Sequence, residues 1–474
     1  MNKYRYFLWC IILLASIASF GLLLRYIKPP KNSESTNYGC IYDRNNFILA
    51  YSSVNYNIYL KPKNITDPIA TYQELRPYIT YEKYLELLQK DGSILVATTS
   101  TKPPKFSSDS ILVQKNIKRK YPMGKYSTTI GYLDLSRGIC KGVESYAQYG
   151  NVQTTIDWRL QLNLALHLEH LVKKRNGEVA FGILLNKNGE IEAMHTTNCA
   201  DPSYPKDFFI YPTSGLFEIG SVSKAITAFA GLYLGAFTLD TVLDPSTGKY
   251  IGSRPMCDTH APPKEWKIGS ILGVSSNIGT VAAAKKIGEV NLMSFFKLLQ
   301  LHEKILWNCG ETPEPTWPKT RGDMLSAAFG YAYSGTFLHF GRAFVSIIND
   351  GKLIIPRILL NQPAQQTGRI NTTVLPDLQK ILKSTAAGVC GEFAKMGVGS
   401  KSGTAKQWRG NHYSSSNFNC FFVFFIPDLN GDFKYVLLVS LINPQPPQLS
   451  GVVLKDMGIS YVSYVRHIMY MDSN

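Results

Sequence analysis

Two pairs of apolar strands, each folded back on itself, constrain this chain more than any other feature. The first pair joins residues 179–185 to residues 191–194, and the second joins residues 421–426 to residues 435–440. Asn-Gly stands in the turn of each pair, and Asn-Gly between apolar runs is a strong hairpin signal. The sequence therefore predicts two antiparallel hairpins, one near each end of a single large domain.

Helical patterns fill the rest of that domain. Leucines repeat at helical spacing within residues 157–172, residues 221–348 are mostly helical in pattern, and residues 453–471 predict a final helix. Helices and strands in this order predict an α+β fold, in which an antiparallel sheet is flanked by helices that come from both ends of the domain. We expect this domain to span residues 151–474.

The segment before this domain has a different character. Pro29 and Pro30 begin a polar stretch that is typical of a linker. Short strand-like pieces at residues 48–51 and 111–113, with one helix at residues 81–88 between them, then predict a smaller, irregular α/β domain. We assign the linker and this domain to residues 26–150.

An uncharged run near the N-terminus predicts a membrane anchor. Residues 6–24 carry no charge, and their number approaches the roughly 20 residues that a helix needs to cross a bilayer. A cleaved signal peptide is the alternative, but its apolar core is shorter, and the loose cleavage site at residues 16–18 lies inside the run. We expect residues 1–25 to form a cytoplasmic tip and an uncleaved transmembrane helix that tethers the rest of the chain.

Charge and cysteine content narrow the function classes. Lys and Arg number 50 against 34 Asp and Glu, and the net charge of +16 suits nucleic acid, an anionic membrane surface or an acidic polymer. No zinc-ligand spacing and no aromatic RNA-binding signature occurs, so nucleic acid is not an expected partner. The eight cysteines form no Cys-x-x-Cys pair, so neither a metal site nor a cofactor is predicted, while disulfides stay open.

A Ser-x-x-Lys motif is the first chemical signal. Ser221 and Lys224 open a predicted helix and lie off its apolar stripe, so they share a face that can line a cleft. A serine is a good nucleophile only when a base takes its proton, and a lysine is that base only when burial or positive charge lowers its pKa. The spacing recurs at residues 203–206 and 294–297, neither of which starts a helix in the predicted pattern.

A Ser-x-Asn motif is the second signal. The hydroxyl of Ser275 can relay a proton, and the amide of Asn277 can bind a peptide carbonyl and a lysine together. Residues 415–417 repeat the pattern, so on its own a polar loop is the simpler explanation.

The third signal is Lys401-Ser402-Gly403-Thr404, just before the second hairpin. We expect these residues in a strand of the same sheet. There the lysine supplies positive charge, the two hydroxyls can hold a carboxylate, and the glycine admits a substrate backbone. An exposed polar strand end is the alternative for these four residues alone.

In chain order, the three motifs together resemble the signature of penicillin-binding proteins and serine β-lactamases. Further stretches resemble class B penicillin-binding proteins, the monofunctional D,D-transpeptidases of peptidoglycan. These stretches are residues 39–45, 121–122, 130–132, 142–144, 155–161 and 217–221. The resemblance implies the transpeptidase fold of that family, which is like that of serine β-lactamases, together with an N-terminal pedestal domain.

Three positions depart from the family pattern. Ile219 stands where the family often has proline, and Asn46 stands where it usually has glycine. Ala332 replaces the second glycine of a Phe-Gly-x-Gly-like stretch.

The resemblance implies catalytic roles for five residues. Ser221 attacks the penultimate D-Ala carbonyl of a stem peptide and releases the terminal D-Ala, with Lys224 as the general base. Ser275 passes the proton onward, Asn277 holds the peptide amide, and Lys401 tunes the local field.

It also implies a binding strand. Ser402 and Thr404 bind the terminal carboxylate on either side of Gly403, and the backbone N–H groups of Ser221 and Thr404 form the oxyanion hole. β-Lactams mimic D-Ala-D-Ala and trap Ser221 as a covalent adduct.

Within class B, Asp258-Thr259-His260 and residues 275–279 resemble the septal branch. The resemblance therefore implies cross-linking during cell division by a protein of the bacterial inner membrane, with one span and a periplasmic body. Because no region remains for glycan polymerisation, it also implies a SEDS-type glycan polymerase and other divisome proteins as partners.

Two alternatives stay open. A serine β-lactamase or β-lactam sensor shares the fold, but it differs in deacylation, and the spacing identifies no water-activating base. A catalytically silent divisome scaffold is the other alternative, although the intact motifs argue against it.

Overall fold

The computed structural model describes residues 38–134, 139–198, 210–408, 410, 412–445 and 453–473. The predicted anchor at residues 1–25 and the second Ser-x-x-Lys spacing at residues 203–206 both lie outside these residues. Among the helices that are described, none combines the length and the apolar character that crossing a membrane requires.

The N-terminal part is built on a long central strand. Its elements are β1 (Ile41–Tyr42), β2 (Ile48–Leu60), α1 (Pro68–Leu75), α2 (Tyr81–Leu88), β3 (Ile94–Thr99), β4 (Ile111–Lys120), β5 (Gly131–Asp134), β6 (Ile139–Gly142), α3 (Glu144–Ala147) and β7 (Val152–Gln153). β3 and β4 both pair with β2 in antiparallel orientation. The helix expected at residues 81–88 is confirmed as α2.

β2 is longer and more regular than predicted. Buried residues alternate with half-buried ones along most of its length, and the half-buried positions include Ser53, Asn55 and Asn57. These polar residues interrupt the apolar run, so hydrophobicity alone predicts only residues 48–51 as a strand. The alternation is the period-2 pattern of a strand with one face in the core.

The C-terminal part holds the predicted α+β domain. Its elements are α4 (Trp158–Arg175), β8 (Val179–Asn186), β9 (Ile191–Thr196), α5 (Tyr211–Ser214), α6 (Ser223–Tyr233), β10 (Tyr250–Ile251), β11 (Arg254–Pro255), α7 (Ile268–Gly273), α8 (Asn277–Ile287), α9 (Glu289–Leu298), β12 (Leu306–Trp307), β13 (Gly310–Glu311), α10 (Arg321–Ala327), α11 (Phe337–Val345), β14 (Lys352–Ile354), β15 (Gln366–Arg369), α12 (Leu375–Val389), α13 (Gly391–Met396), β16 (Gly399–Trp408), β17 (Tyr413–Pro427), β18 (Phe433–Ile442) and α14 (Lys455–Ser473). Both predicted hairpins and the final helix are confirmed.

One five-stranded antiparallel sheet organises this domain. The strand order is β16-β17-β18-β8-β9, so the two hairpins join at β18 and β8, and β16 is an edge strand. Ring contacts define the two faces: Phe425 of β17 meets Phe344 of α11, whereas Phe424 meets Phe393 of α13 and lies against Gly458 of α14. The sheet is therefore flanked by helices on both faces, as the sequence predicts.

The described residues form two hydrophobic cores. The smaller core lies among β2, β4, α1 and α2 of the N-terminal part and contains Ile58, Leu75 and Tyr84. The larger core fills the C-terminal domain and also takes in Ile41 and Leu49 from the N-terminal part. Part of the N-terminal segment thus packs as one body with the C-terminal domain, and the boundary at residue 150 stays a prediction.

Candidate active site

Ser221 lies in a tight turn that is held between two other segments. A 3₁₀ turn at Gly220–Val222 leads into α6, close to the predicted helix start. The Gly220 N–H donates to the Gly330 carbonyl at 3.1 Å. Gly220 has a left-handed φ of 51°, and a Cβ on it would stand 2.6 Å from the Thr404 carbonyl oxygen. Only glycine at position 220 allows the turn to lie this close to β16.

Lys224 is fully buried and, unlike Ser221, does not line the open cleft that the sequence predicts for it. Its Nζ lies within hydrogen-bond distance of three oxygens: the Asn277 Oδ1 at 2.7 Å, the Ser275 carbonyl oxygen and, at 3.3 Å, the Ser275 Oγ. A neutral amine donates to two of them. Burial lowers the pKa of Lys224 well below its ordinary value, the nearby positive charge of Lys401 lowers it further, and the Asp258 carboxylate opposes both effects. Lys224 thus meets the requirement for a neutral amine that can accept a proton.

Lys401 approaches the same hydroxyl from the sheet. Its Nζ donates to the Ser275 Oγ at 3.0 Å and to the Ser402 carbonyl oxygen at 2.8 Å. Burial lowers the pKa of Lys401 to about 7. The Ser275 hydroxyl therefore lies between two amines whose proton affinity is reduced, which suits a proton relay.

Asp258 holds the Ser-x-Asn turn in place. No role in the site was predicted for this residue. Its carboxylate accepts from the Ser276 Oγ at 2.6 Å, from the Asn277 N–H, and from the Ile278 N–H at 3.0 Å. These N–H groups begin α8, so the carboxylate caps a helix N-terminus, where negative charge is favourable. No spacing rule links Asp258 to residues 275–277, so the sequence carried no signal for this contact.

Residues 401–404 lie in β16, so the predicted strand is confirmed. Its register with β17 places Lys401 and Gly403 opposite Val423 and Phe421, and Thr404 opposite Cys420. Side chains alternate along a strand, so Ser402 and Thr404 point to the other face from Lys401.

Gly403 lies directly against the turn at Gly220–Val222, called the nucleophile turn because it carries the predicted nucleophile Ser221. A Cβ at this position would stand 2.5 Å from the Ile219 carbonyl oxygen and 3.0 Å from the Ser221 nitrogen. These are backbone atoms that cannot rotate away. Glycine is therefore required at position 403 for the edge of β16 to approach Ser221.

A cleft of about 710 Å³ brings the motifs together. Its lining includes seven of the eight predicted site residues: Ser221, Ser275, Asn277, Lys401, Ser402, Gly403 and Thr404. Phe329, Tyr331 and His260 also line it. Within the described ranges, no group of three or more His, Cys, Asp and Glu residues could hold a metal ion.

Among the described residues, the motif copies at residues 294–297 and 415–417 do not line this cleft. Ser294 is exposed on α9, where its Oγ donates to the Val290 carbonyl oxygen of the preceding turn, and Lys297 is exposed beside it. Residues 415–417 lie on β17, where the Ser416 Oγ donates to the Asn417 side chain. Ser294 lies inside a helix instead of at its start, as the sequence predicts, whereas residues 415–417 belong to a strand and not to a loop.

This geometry agrees with a family match. Residues 179–456, more than half of the chain, match the penicillin binding protein transpeptidase domain. The chain belongs to the penicillin-binding-protein transpeptidase family. The motif resemblance and the α+β fold expected from it are thereby confirmed.

Individual family members are distant in sequence. "Probable peptidoglycan D,D-transpeptidase FtsI" of Caulobacter vibrioides is 24 % identical over 406 residues, which cover 78 % of this chain and 69 % of the relative. "Probable peptidoglycan D,D-transpeptidase PenA" of Neisseria gonorrhoeae is 22 % identical over 453 residues, covering 83 % and 78 %. Among solved structures, penicillin binding protein 2X from Streptococcus thermophilus has a TM-score of 0.76 at 16 % identity, covering 92 % of this chain and 79 % of that one.

Proposed function

We propose that this penicillin-binding protein is a peptidoglycan D,D-transpeptidase that acts through an acyl-enzyme on Ser221. The observation that carries the proposal is the convergence of Lys224 and Lys401 on the Ser275 hydroxyl, within a cleft that Ser221 also lines. Three motifs that are far apart in sequence thus supply a nucleophile, a base and a proton relay to one place. The relatives named as probable D,D-transpeptidases support the same reaction.

Acylation follows from the positions of these groups. Neutral Lys224 accepts the Ser221 proton as the Ser221 Oγ bonds to the carbonyl carbon of the penultimate D-Ala. The backbone N–H groups of Ser221 and Thr404 stabilise the oxyanion, which is typically the largest single catalytic contribution. When the peptide C–N bond breaks, the Ser275 hydroxyl gives its proton to the departing amine and takes up the proton held by Lys224, and the terminal D-Ala leaves.

The second half of the reaction reverses the roles. An amine of a neighbouring stem peptide attacks the Ser221 ester, gives up a proton to the same relay, and leaves a new peptide bond with free Ser221. In the preceding acylation step, Asn277 orients the donor peptide, and Ser402 and Thr404 hold the carboxylate of the terminal D-Ala until it leaves. A β-lactam enters as a D-Ala-D-Ala mimic and stays bound to Ser221.

We place this reaction at the division septum, on the outer side of the bacterial inner membrane. The uncharged run at residues 6–24 supports a single membrane anchor, and Asp258-Thr259-His260 with residues 275–279 supports the septal branch. A SEDS-type glycan polymerase and other divisome proteins are then the partners that supply the glycan strands. Depletion of the protein should produce undivided filaments with continued elongation, and swollen rods would instead favour an elongation role.

Labelling with a fluorescent penicillin tests the nucleophile. Wild-type protein should form an adduct that survives denaturation, and Ser221→Ala should form none. Ser294→Ala is the matched control, because it changes another described Ser-x-x-Lys motif and should leave labelling intact. Labelling that persists in Ser221→Ala would place the nucleophile elsewhere.

The fate of the adduct separates the enzyme classes. A transpeptidase should hold the penicilloyl group for many minutes, whereas rapid release of hydrolysed penicillin would identify a β-lactamase. Transfer of the acyl group from a D-Ala-D-Ala peptide to an added amine, with release of D-Ala, completes the test. Normal cross-linking in cells that carry only Ser221→Ala would favour a silent scaffold.

A further inference from the structure

Glu218 connects the nucleophile turn to two other segments. Neither the sequence motifs nor the proposed reaction assigns Glu218 a role. It lies three residues before Ser221 and is largely buried. A single atom, Oε1, accepts two hydrogen bonds, from the Ala332 N–H at 2.6 Å and from the Tyr413 hydroxyl at 2.9 Å. The carboxylate therefore connects the turn to two segments that are more than a hundred residues away in sequence.

The hydrogen bond from the Ala332 N–H to Glu218 holds the loop that contacts the nucleophile turn. Ala332 has a left-handed φ of 59°, which is costly for a residue with a Cβ. Two residues earlier, the Gly330 carbonyl accepts from the Gly220 N–H. Glu218 thus stabilises a strained position in the loop that directly contacts the turn carrying Ser221.

The Tyr413 bond fixes the end of the binding strand. Tyr413 is the first residue of β17 and pairs with Trp408, the last residue of β16. Its ring meets the Tyr331 ring edge-on at 5.1 Å and the Trp408 ring at 4.9 Å. The Tyr331 hydroxyl in turn accepts from the Lys406 N–H at 3.3 Å. These contacts anchor β16 just beyond Thr404.

We infer that Glu218 and Tyr413 form a positioning pair, which sets the distance between Ser221 and the edge of β16. β16 is an edge strand with a sheet neighbour only on the β17 side, so its free edge relies on contacts of this kind to stay at a fixed distance from the turn. A displacement of about 1 Å between reacting groups can cost about 100-fold in rate. This role rests on the proposed acyl-enzyme function and adds two residues to it.

Acylation by a β-lactam under pre-steady-state conditions measures the effect, because it separates initial binding (K) from bond formation (k2). Glu218→Ala and Tyr413→Phe should each lower k2 by about 10- to 100-fold, with a smaller change in K. The double variant should be little worse than either single one, since both remove the same link. Glu218→Gln should keep most of k2, because a carboxamide oxygen accepts the same two bonds that Oε1 accepts.

Tyr146→Phe is the matched control. It removes a hydroxyl of a half-buried tyrosine, which donates to the Asn308 carbonyl oxygen at 2.6 Å, and Tyr146 does not line the catalytic cleft. Its k2 should equal that of the wild type. If Tyr413→Phe, assayed well below its melting temperature, also has wild-type k2, the positioning role is overturned.

Amide hydrogen exchange of the unliganded protein tests the link through Glu218 without depending on the acylation reaction. Peptides that cover residues 329–335 and 404–408 should exchange faster in Glu218→Ala than in the wild type and Glu218→Gln. Unchanged exchange would overturn the link itself. Faster exchange in a protein whose wild type forms no β-lactam adduct would uphold the link while refuting the proposed function.

Discussion

Lys224 and Lys401 both place their side-chain nitrogen, Nζ, within hydrogen-bond distance of one hydroxyl, the Ser275 Oγ, at 3.3 Å and 3.0 Å. Both side chains are buried, and the positive charge of Lys401 lowers the pKa of Lys224 beyond the effect of burial. Two amines this close cannot both hold a proton at low cost. The pair therefore favours one neutral and one charged lysine. We assign Lys224 as the neutral one, because both burial and the charge of Lys401 lower its pKa.

This coupling predicts a bell-shaped pH profile for acylation. The rate should rise as Lys224 loses its proton and fall as Lys401 loses its own, with a pKa of about 7 for the latter. In Lys401→Gln the like charge is gone, so the pKa of Lys224 rises and the acidic limb moves to higher pH, while the alkaline limb disappears. The second-order acylation rate between pH 5 and 10 provides the measurement.

Lys406→Gln is the control for that series, because Lys406 is an exposed lysine of the same strand. Its profile should match the wild type. An acidic limb that stays in place in Lys401→Gln would mean that the two lysines are not coupled.

Gly403→Ala should impair acylation more than folding. The new Cβ would meet backbone atoms of the nucleophile turn at 2.5 Å to 3.0 Å, so β16 must move away from Ser221. We expect the acylation rate to fall by about 10- to 100-fold. Gly391→Ala is a fair comparison, since a Cβ there meets nothing within 4 Å, and it should retain the wild-type rate. Equal rates in both variants would contradict the close approach.

Sequence patterns predicted the elements whose signals are local. The hairpins follow from apolar runs with Asn-Gly turns, and α4 follows from leucine spacing, with Asp157 as its N-cap. The three motifs predicted which residues meet, because their order resembles the signature of penicillin-binding proteins. Seven of those eight residues line the cleft, and Lys224 lies behind it.

The contacts that hold the site together carry no local signal. Glu218 meets Tyr413 across 195 positions, and Asp258 meets the Ser-x-Asn turn across 18 to 20. Such pairs depend on how the layers pack, and periodicity does not report packing. Only residues 48–51 of β2 were predicted, for a different reason: polar residues at its half-buried positions interrupt the apolar pattern.

Asp258→Asn and Ser276→Ala should distinguish the structural role of the Asp258 contacts at the start of α8 from the effect of its negative charge on Lys224. Asp258→Asn removes the negative charge that raises the pKa of Lys224, so the acidic limb of acylation should move to lower pH. Ser276→Ala removes one partner of the carboxylate and keeps its charge, so it should destabilise the protein by about 1 kcal/mol without moving that limb. Thermal melts and pH profiles of both variants provide the two readouts. A shifted limb in Ser276→Ala would assign the effect to geometry instead.

The two sites where this chain lacks a glycine of the family pattern both have left-handed backbone. Ala332 has a φ of 59° and Asn46 a φ of 64°. Asparagine tolerates this region better than alanine does, and the Asn46 side chain also accepts from the Gln153 Nε2 at 3.1 Å. The strain should therefore be concentrated at Ala332.

Ala332→Gly should consequently stabilise the protein by about 1 kcal/mol, because it relieves the left-handed strain and keeps the N–H that binds Glu218. Asn46→Gly should gain little, since the hydrogen bond to Gln153 is lost with the side chain. Ala70→Gly, at an exposed position of α1, should instead lose up to about 1 kcal/mol, as glycine does in helices. Denaturant midpoints of the three variants give the order, and a destabilised Ala332→Gly would show that the entropy of the unfolded chain outweighs the strain at this turn.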